Sequence, residues 1–594
     1  MSAVQKRIMS ETIHQQRLDA MRKILRREGC DGYLLSNSDA FFSEYLPEHE
    51  KRVEWLTGFT GSAATVIVLD HKHPERSAFF TDGRYTLQAK QEVDESLYEI
   101  HNISECSPLE WLKKHAAGDS IGFDPWLASL SNLRQWRENA RNLLWIEMPE
   151  NTIEQLWEDR PAFNQVEAFE YPVSYAGAGR DEKIQHIADR LKEQDVYASL
   201  LTQPESINWL LNIRGSDIQY TPLFLCRGII TQDAQFYLYA DDQLIPESVA
   251  ENIKIYPAHV MRKHLKRWNL GAVSLQPSVT PVSLYNALHK SGAVIVEQQD
   301  PCTLPKALKN EVELEHIRQT HQTDGLALTR FLHWVDSTEE TLSELSAAQK
   351  LESFRRLSPD FIEPSFTTIS GFGPNGAIVH YAVSEASNRT FEEGSLYLVD
   401  SGGQYLGGTT DVTRTIAIGE PSEEMRVNYT RVLKGHIALA LAVFPRGTNG
   451  NQLDSLARQP LWEAGLDYDH GTSHGVGCYM GVHEGPQGIS KRSTGVPLQT
   501  GMILSNEPGY YKTDAYGIRI ENLVETVKAD LKGFRRFETL TCAPLDKRLV
   551  IAEMLSEAER KWWNDYHGWV LESHQDKLDD AQREWLKAAC APLG

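Results

Sequence analysis

A chain of 594 residues is longer than one hydrophobic core ordinarily serves, so more than one domain is expected. A formal net charge of −22, with 41% hydrophobic and 24% charged residues, fits a globular protein and excludes nucleic acid or an anionic membrane as the main partner. The seven cysteines form no CxxC pair, the first residues lack the apolar core of a signal peptide, and the apolar run HIALALAVF at 436–444 is too short to span a bilayer; a soluble, cytoplasmic protein with reduced thiols is expected.

In chain order, IHQQRLDAMRKILRREGCDGYLLSNSDAF predicts an amphipathic helix, a short buried strand and a polar turn. DEKIQHIADRLKEQDVYASLLTQPESINW repeats that order. VEWLTGFTGS in the first copy answers INWLLNIRGS in the second, with Trp55, Gly61 and Ser62 at the spacing of Trp209, Gly215 and Ser216. Each is followed by a predicted strand, in SAFFTDGRYTL and AQFYLYADDQL, and the first copy carries an insertion around FFSEYLPEHEKR. Duplication of one α/β domain explains this better than coincidence. YPVSYAGAGR at 171–180 reads as the linker between the copies, and QQDPCTLPKALKN at 298–310 as the boundary after them. The next stretch has helical periodicity, with Leu314, Ile317, His321 and Leu326 placed roughly along one stripe.

Beyond it, glycine, short β runs, acids and histidines concentrate between about 365 and 530. GSLYLVDSGGQYLGGTTDVTRTIAIG predicts a β-hairpin with Asp400 ending one strand and Asp411 starting the next. GMILSNEPGYYKTDAYGIRIENLVETV predicts a second, with Glu507 and Glu521 on successive strands and Arg519 and Glu521 on one face by period-two alternation. Any one of these acids could be an ordinary strand-end residue; Asp400 could cap the glycine turn, and Glu521 could pair with Arg519. Four carboxylates among apolar residues, with one imidazole, instead make an oxygen-rich site suited to two divalent ions about 3.5–4 Å apart.

HGTSHGVGCYMGVHEGP at 470–486 holds three histidines, two of them four apart as in a helical zinc motif. Gly471, Gly475, Gly477 and Gly481 argue against a helix, and Gly471 stands where HExxH needs glutamate. Strand and loop are expected there.

These motifs, with GFTGSAA, FFTDGRYTLQA, KNEVELEHIRQTHQTDGLAL and SFTTISGFGPNGAIVHY, resemble the pita-bread metallopeptidases of family M24, and among them the three-domain, cytosolic type of aminopeptidase P. The resemblance covers nearly the whole chain. It implies an α/β (α+β) architecture: two creatinase-like domains at 1–172 and 173–305, then a pita-bread catalytic domain at 306–594. It implies metal ligands Asp400, Asp411, His474, Glu507 and Glu521, with Asp411 and Glu521 bridging two ions. Manganese is the family's usual metal, and zinc is reported for some members. Glu507 would also shuttle a proton from the attacking water or hydroxide to the leaving nitrogen. His380 and His483 match the family's two substrate-facing histidines, His470 would support them from behind, and Arg519 would orient the bridging acids. Ser473 stands where many long relatives have glycine but shorter relatives carry serine, and Cys478 is expected to be a packing residue. The implied reaction is hydrolysis of the N-terminal Xaa–Pro bond of short peptides by a homodimer.

Three alternatives share the fold. A Xaa-Pro dipeptidase has the same ligands but ordinarily one N-terminal domain. A metal-free creatinase-type amidinohydrolase, or a binding-only pita-bread protein, would lack the ligand set present here.

Overall fold

The structure is a computed structural model that describes residues 3–70, 77–251 and 253–594, with side chains for all of these except 3–12 and 87. The chain divides into two compact units: 1–170, 180–219 and 223–302 form one, and 171–179, 220–222 and 303–594 the other.

The first unit is built on two six-stranded sheets of one topology. In the first, helix α1 (Ala3–Glu28) leads into β1 (Gly32–Ser36), and helix α2 (Arg52–Thr57) follows. Then come β2 (Thr65–Leu69), β3 (Ser77–Thr81), β4 (Glu99–Asn102), β5 (Ser120–Phe123) and β6 (Leu144–Glu147), in the order β4-β3-β2-β1-β5-β6. In the second, helix α3 (Arg180–Glu193) leads into β7 (Ala198–Leu201), and helix α4 (Pro204–Leu211) follows. Next are β8 (Arg227–Thr231), β9 (Phe236–Tyr239), β10 (Lys254–Tyr256), β11 (Val273–Leu275) and β12 (Ile295–Glu297), in the order β10-β9-β8-β7-β11-β12. The central strand pairs antiparallel with its hairpin neighbour and parallel with the crossover strand in both sheets. Trp55 lies in α2 and Trp209 in the matching α4, and the insertion falls between β1 and α2. Alternation explains why these strands are apolar throughout: Tyr33, Leu35, Val66, Val68 and Phe79 fill one core, while Leu34, Ile67, Leu69, Ala78 and Phe80 fill the other.

In the second unit, helix α5 (Glu311–Ser337) starts with a capping box of Asn310 and Glu313. Its buried stripe runs through Leu314, Ile317 and His321, then Asp324, Gly325 and Leu328. Leu326, expected on that stripe, is half-buried; 314, 317, 321, 324/325 and 328 follow the 3.6-residue period, and 326 falls beside it. The inward carboxylate of Asp324 is held by Arg355 at 2.7 Å and the Tyr405 hydroxyl at 2.8 Å. Strand β13 (Ile369–Phe372) and strand β15 (Val412–Ile418) flank β14 (Ser395–Ser401) in an antiparallel sheet. One face, with Tyr397, Val399, Val412 and Ile416, packs on Leu328 and Phe331 of α5. Leu396 and Ala417 turn the other way, into a core with helices α6 (Glu423–Ala440) and α7 (Glu557–His574).

After α6, β16 (Ser473–His474) pairs with β17 (Gly488–Ile489). Strand β18 (Ile503–Asn506) precedes the small hairpin β19 (Gly509–Lys512) and β20 (Tyr516–Arg519), and β21 (Asn522–Lys528) returns antiparallel to β18. Of the expected linker 171–180, Tyr171–Gly179 belongs to this unit: the Tyr171 hydroxyl donates to the Leu406 carbonyl at 2.7 Å. Among the described residues, no helix is long and apolar enough to cross a membrane.

Candidate metal centre

Two chain reversals bring four acids to one place. Asp400 lies opposite Thr413 at the end of β14, and Asp411 immediately precedes β15. Asn506 and Asn522 pair at the open end of the β18–β21 ladder, so Glu507 leaves one strand where Glu521 enters the other. Both acids therefore sit just outside their strands rather than within them, because β19 and β20 form a separate hairpin between them. The expected face still holds: Ile518 and Ile520 are fully buried in the apolar core, while Arg519 turns to Asp400, its Nη2 at 2.6 Å from Oδ2.

No helix forms at 470–486, where His474 sits on β16. Its Nδ1 donates to the Gly475 carbonyl at 2.9 Å, which turns Nε2 toward the acids. That atom lies 3.3 Å from Asp411 Oδ2 and 3.6 Å from Glu507 Oε1. Ligand atoms of Asp411, His474 and Glu521 all fall within 4.8 Å of one another. The Thr413 hydroxyl donates to Glu521 Oε2 at 2.7 Å, and the Ser505 hydroxyl to Glu507 Oε1 at 3.1 Å. Each fixes a carboxylate while leaving its other oxygen.

The electrostatics ask for a cation. Burial, together with the charge of Asp411, pushes the Asp400 carboxyl up to about 7, although Arg519 opposes the shift. Glu507 is raised, mainly by burial against the opposing charges of His474 and Arg519. Glu521 is raised well above the usual carboxylate range by burial and by Asp411, Glu507 and Asp400. Burial works to lower His474, but the Asp411 hydrogen bond and the Glu507 charge outweigh it and lift the imidazole to about 9. Asp400 Oδ1 is buried with no hydrogen-bond partner. A buried carboxylate oxygen without a donor, beside three further acids and an imidazole nitrogen, fits divalent cations.

Around the acids, the Arg519 Nη1 donates to the Tyr511 hydroxyl at 2.7 Å, Tyr511 donates to His470 Nε2 at 2.8 Å, and His470 Nδ1 donates to the Gly471 carbonyl at 2.8 Å. Tyr511 was not among the expected residues; its link to Arg519 crosses a hairpin whose register the sequence does not state. The ring of His483 stands edge-on to His474 with centroids 4.3 Å apart, and the side chain is exposed. His380 is half-buried in the turn after the 3-10 helix Gly373–Ala377. Cys478 is buried, and Ser473 lies beside His474 on β16.

Residues 315–528 match the model of metallopeptidase family M24, and 533–593 match the C-terminal region of that family. Residues 17–156 and 159–313 each match the creatinase/prolidase N-terminal domain. The chain is 33% identical to aminopeptidase P1 of Lotus japonicus, over 97% of this chain and 99% of the relative. It belongs to metallopeptidase family M24. It is also 37% identical to a probable Xaa-Pro aminopeptidase P of Ajellomyces capsulatus, over 97% of this chain and 99% of that one. The M24 chain superposes on the crystal structure of an X-prolyl aminopeptidase from Caenorhabditis elegans with a TM-score of 0.92 and 32% identity, covering 98% of this chain and all of that one; the nematode protein is described as a cytosolic enzyme with a di-nuclear active site. A Xaa-Pro dipeptidase from Bacillus anthracis shares the fold over 63% of this chain, at 24% identity and a TM-score of 0.52. Two creatinase-like domains precede a pita-bread domain in this M24 chain, as the sequence motifs imply.

Proposed function

We propose that this M24 chain is a metal-dependent Xaa-Pro aminopeptidase, releasing the first residue of short peptides that have proline second. The observation carrying this reading is the cluster of buried Asp400, Asp411 and Glu521 with half-buried His474 and Glu507, within a chain similar along its whole length to proteins named for that activity. In this reading 1–172 and 173–305 are the duplicated domains, 306–594 is catalytic, and the enzyme is a cytoplasmic homodimer. The five residues hold two divalent ions, and the oxygen-dominated donor set suits manganese, with zinc as the other candidate.

Bound divalent ions supply Lewis-acid polarisation and acidify coordinated water. The residues do the rest. The substrate proline makes the scissile bond a tertiary amide without an N–H, so its nitrogen must gain a proton to leave. Glu507, whose burial favours the protonated carboxyl, takes a proton from the attacking water and delivers it to that nitrogen. His483 and His380 donate hydrogen bonds to the substrate carbonyl as its oxygen gains charge. Arg519 compensates Asp400, and the Tyr511–His470 chain holds Arg519 in line.

A Xaa-Pro dipeptidase is the second reading, favoured by the shared fold; the duplicated N-terminal domain favours the aminopeptidase. Arg-Pro-Pro and an Xaa-Pro dipeptide are compared as substrates after chelation and manganese re-addition. The expected outcome is turnover of the tripeptide, with a loss of about 10²-fold or more for Glu507→Gln. A folded, manganese-loaded sample that leaves Arg-Pro-Pro intact refutes the proposal.

A further inference from the structure

His483 is exposed, and its neighbour Glu484 is one of the most tightly held acids in the chain. The Glu484 side chain is 3% exposed, and Lys306 Nζ lies 2.6 Å from its Oε2. Lys309 Nζ, itself 1% exposed, donates to Oε1 of the same carboxylate and to the Lys306 carbonyl at 2.8 Å. Lys306 lies on the short helix Thr303–Ala307, and Lys309 directly precedes Asn310, the cap of α5. Two ammonium groups thus reach one buried carboxylate from the segment that opens the catalytic unit. Burying three charges yields little stability over apolar residues of similar size, so stability alone does not explain the arrangement.

Its geometry points to placement. The Glu484 N–H donates to the Gly475 carbonyl at 2.8 Å, and a Cβ on Gly475 would stand 2.1 Å from the Glu484 carbonyl. The backbone at 484 is therefore seated against the residue following His474. With Glu484 clamped, the peptide unit bearing His483 has little room to move, which keeps its ring against His474.

We propose that Lys306, Lys309 and Glu484 are positioning residues for His483, tying it to the segment that enters α5. This rests on the reading that His483 meets the substrate. Their removal releases the histidine loop while the metal ligands stay in place, so kcat falls and KM changes little.

A double-mutant cycle tests this in the manganese-loaded full chain with Arg-Pro-Pro. Glu484→Gln keeps the shape of the side chain, and Lys306→Met provides an independent break. Each is expected to lower kcat about 10- to 100-fold with bound manganese unchanged. Added to His483→Ala, neither should lower kcat further, because the residue they act through is gone. Multiplicative losses in the double mutants, or kcat retained while thermal stability falls, overturn the proposal and leave the role of His483 standing. A His483→Ala enzyme with wild-type kcat overturns both.

Discussion

Replacing Arg414 by methionine tests how the fold holds Glu521. The guanidinium is buried on β15 and donates to the carbonyls of Thr413, Glu521, Ala543 and Pro544, at 2.9, 2.7, 2.8 and 2.9 Å. It also donates to Asn522 Oδ1 at 2.9 Å and to the Tyr566 hydroxyl at 3.1 Å. One side chain thus joins β15, the entry to β21, the 543–544 loop and α7. Methionine fills much of the same volume but donates nothing. Ala543 keeps a hydroxyl donor from Tyr566, whereas Glu521, Pro544 and Asn522 lose the guanidinium. At about 1–2 kcal/mol for each buried acceptor left bare, partly offset by apolar contact, the variant should be about 3 kcal/mol less stable. With a urea slope of about 3 kcal/mol/M, the unfolding midpoint of the metal-loaded protein falls by about 1 M. Because the Glu521 backbone is one of the freed groups, manganese affinity should fall about 10- to 100-fold in a calorimetric titration. Arg414→Lys keeps the charge but cannot serve these directions at once, and should fall between the two. An Arg414→Met protein with wild-type midpoint and manganese affinity refutes the reasoning.

Gly325→Ala should destabilise the protein by about 1–3 kcal/mol, reversing the usual helix preference for alanine, because the added Cβ would stand 1.9 Å from the Cys542 carbonyl; equal thermal midpoints would contradict this. Chelation should lower the thermal midpoint as well as activity, since Asp400, Glu507 and Glu521 are then left to repel one another and Asp411 or to protonate, and re-added manganese should restore both; a midpoint indifferent to chelation would count against a metal at these residues. Burial lowers His567 and His574 from 6.5 to about 4, so between those values the unfolded chain binds more protons than the folded one. Stability is then full above pH 6.5 and falls as pH drops toward 4, by about 1.4 kcal/mol per unit for each histidine. His567 Nε2 already accepts the Leu545 N–H, and His574 Nε2 donates to the Cys542 carbonyl. His574→Gln retains a donor without titrating; in urea titrations from pH 7 to 5 it should show the shallower loss, and parallel curves would reject the assignment.

The sequence alone carried whatever depends on local pattern. The spacing of Trp55 to Gly61–Ser62 and of Trp209 to Gly215–Ser216 revealed two related domains, because each copy repeats the same order of helix, strand and polar turn. Glycines in HGTSHGVG ruled out a helix, and alternation put Arg519 and Glu521 on the side away from Ile518 and Ile520. The acids stood out because charged residues among apolar strands need partners, and the resemblance to family M24 added His474 to them. The tertiary structure decided which partners they found. The Arg519–Tyr511–His470 chain depends on how the β19–β20 hairpin folds back on the 470s, and the guanidinium of Arg414 reaches carbonyls 107 to 130 residues away. Lys306 and Lys309 lie in the boundary segment 298–310, and the fold buries them on Glu484, 175 residues beyond Lys309. Leu326 shows the limit within one helix: the 3.6-residue period runs through Asp324 and not 326, and only the fold supplies Arg355 and Tyr405 to receive that inward carboxylate. Periodicity and residue chemistry act over a few positions and can be read along a chain; hydrogen-bond partners are chosen through space, and only the packed fold brings them together.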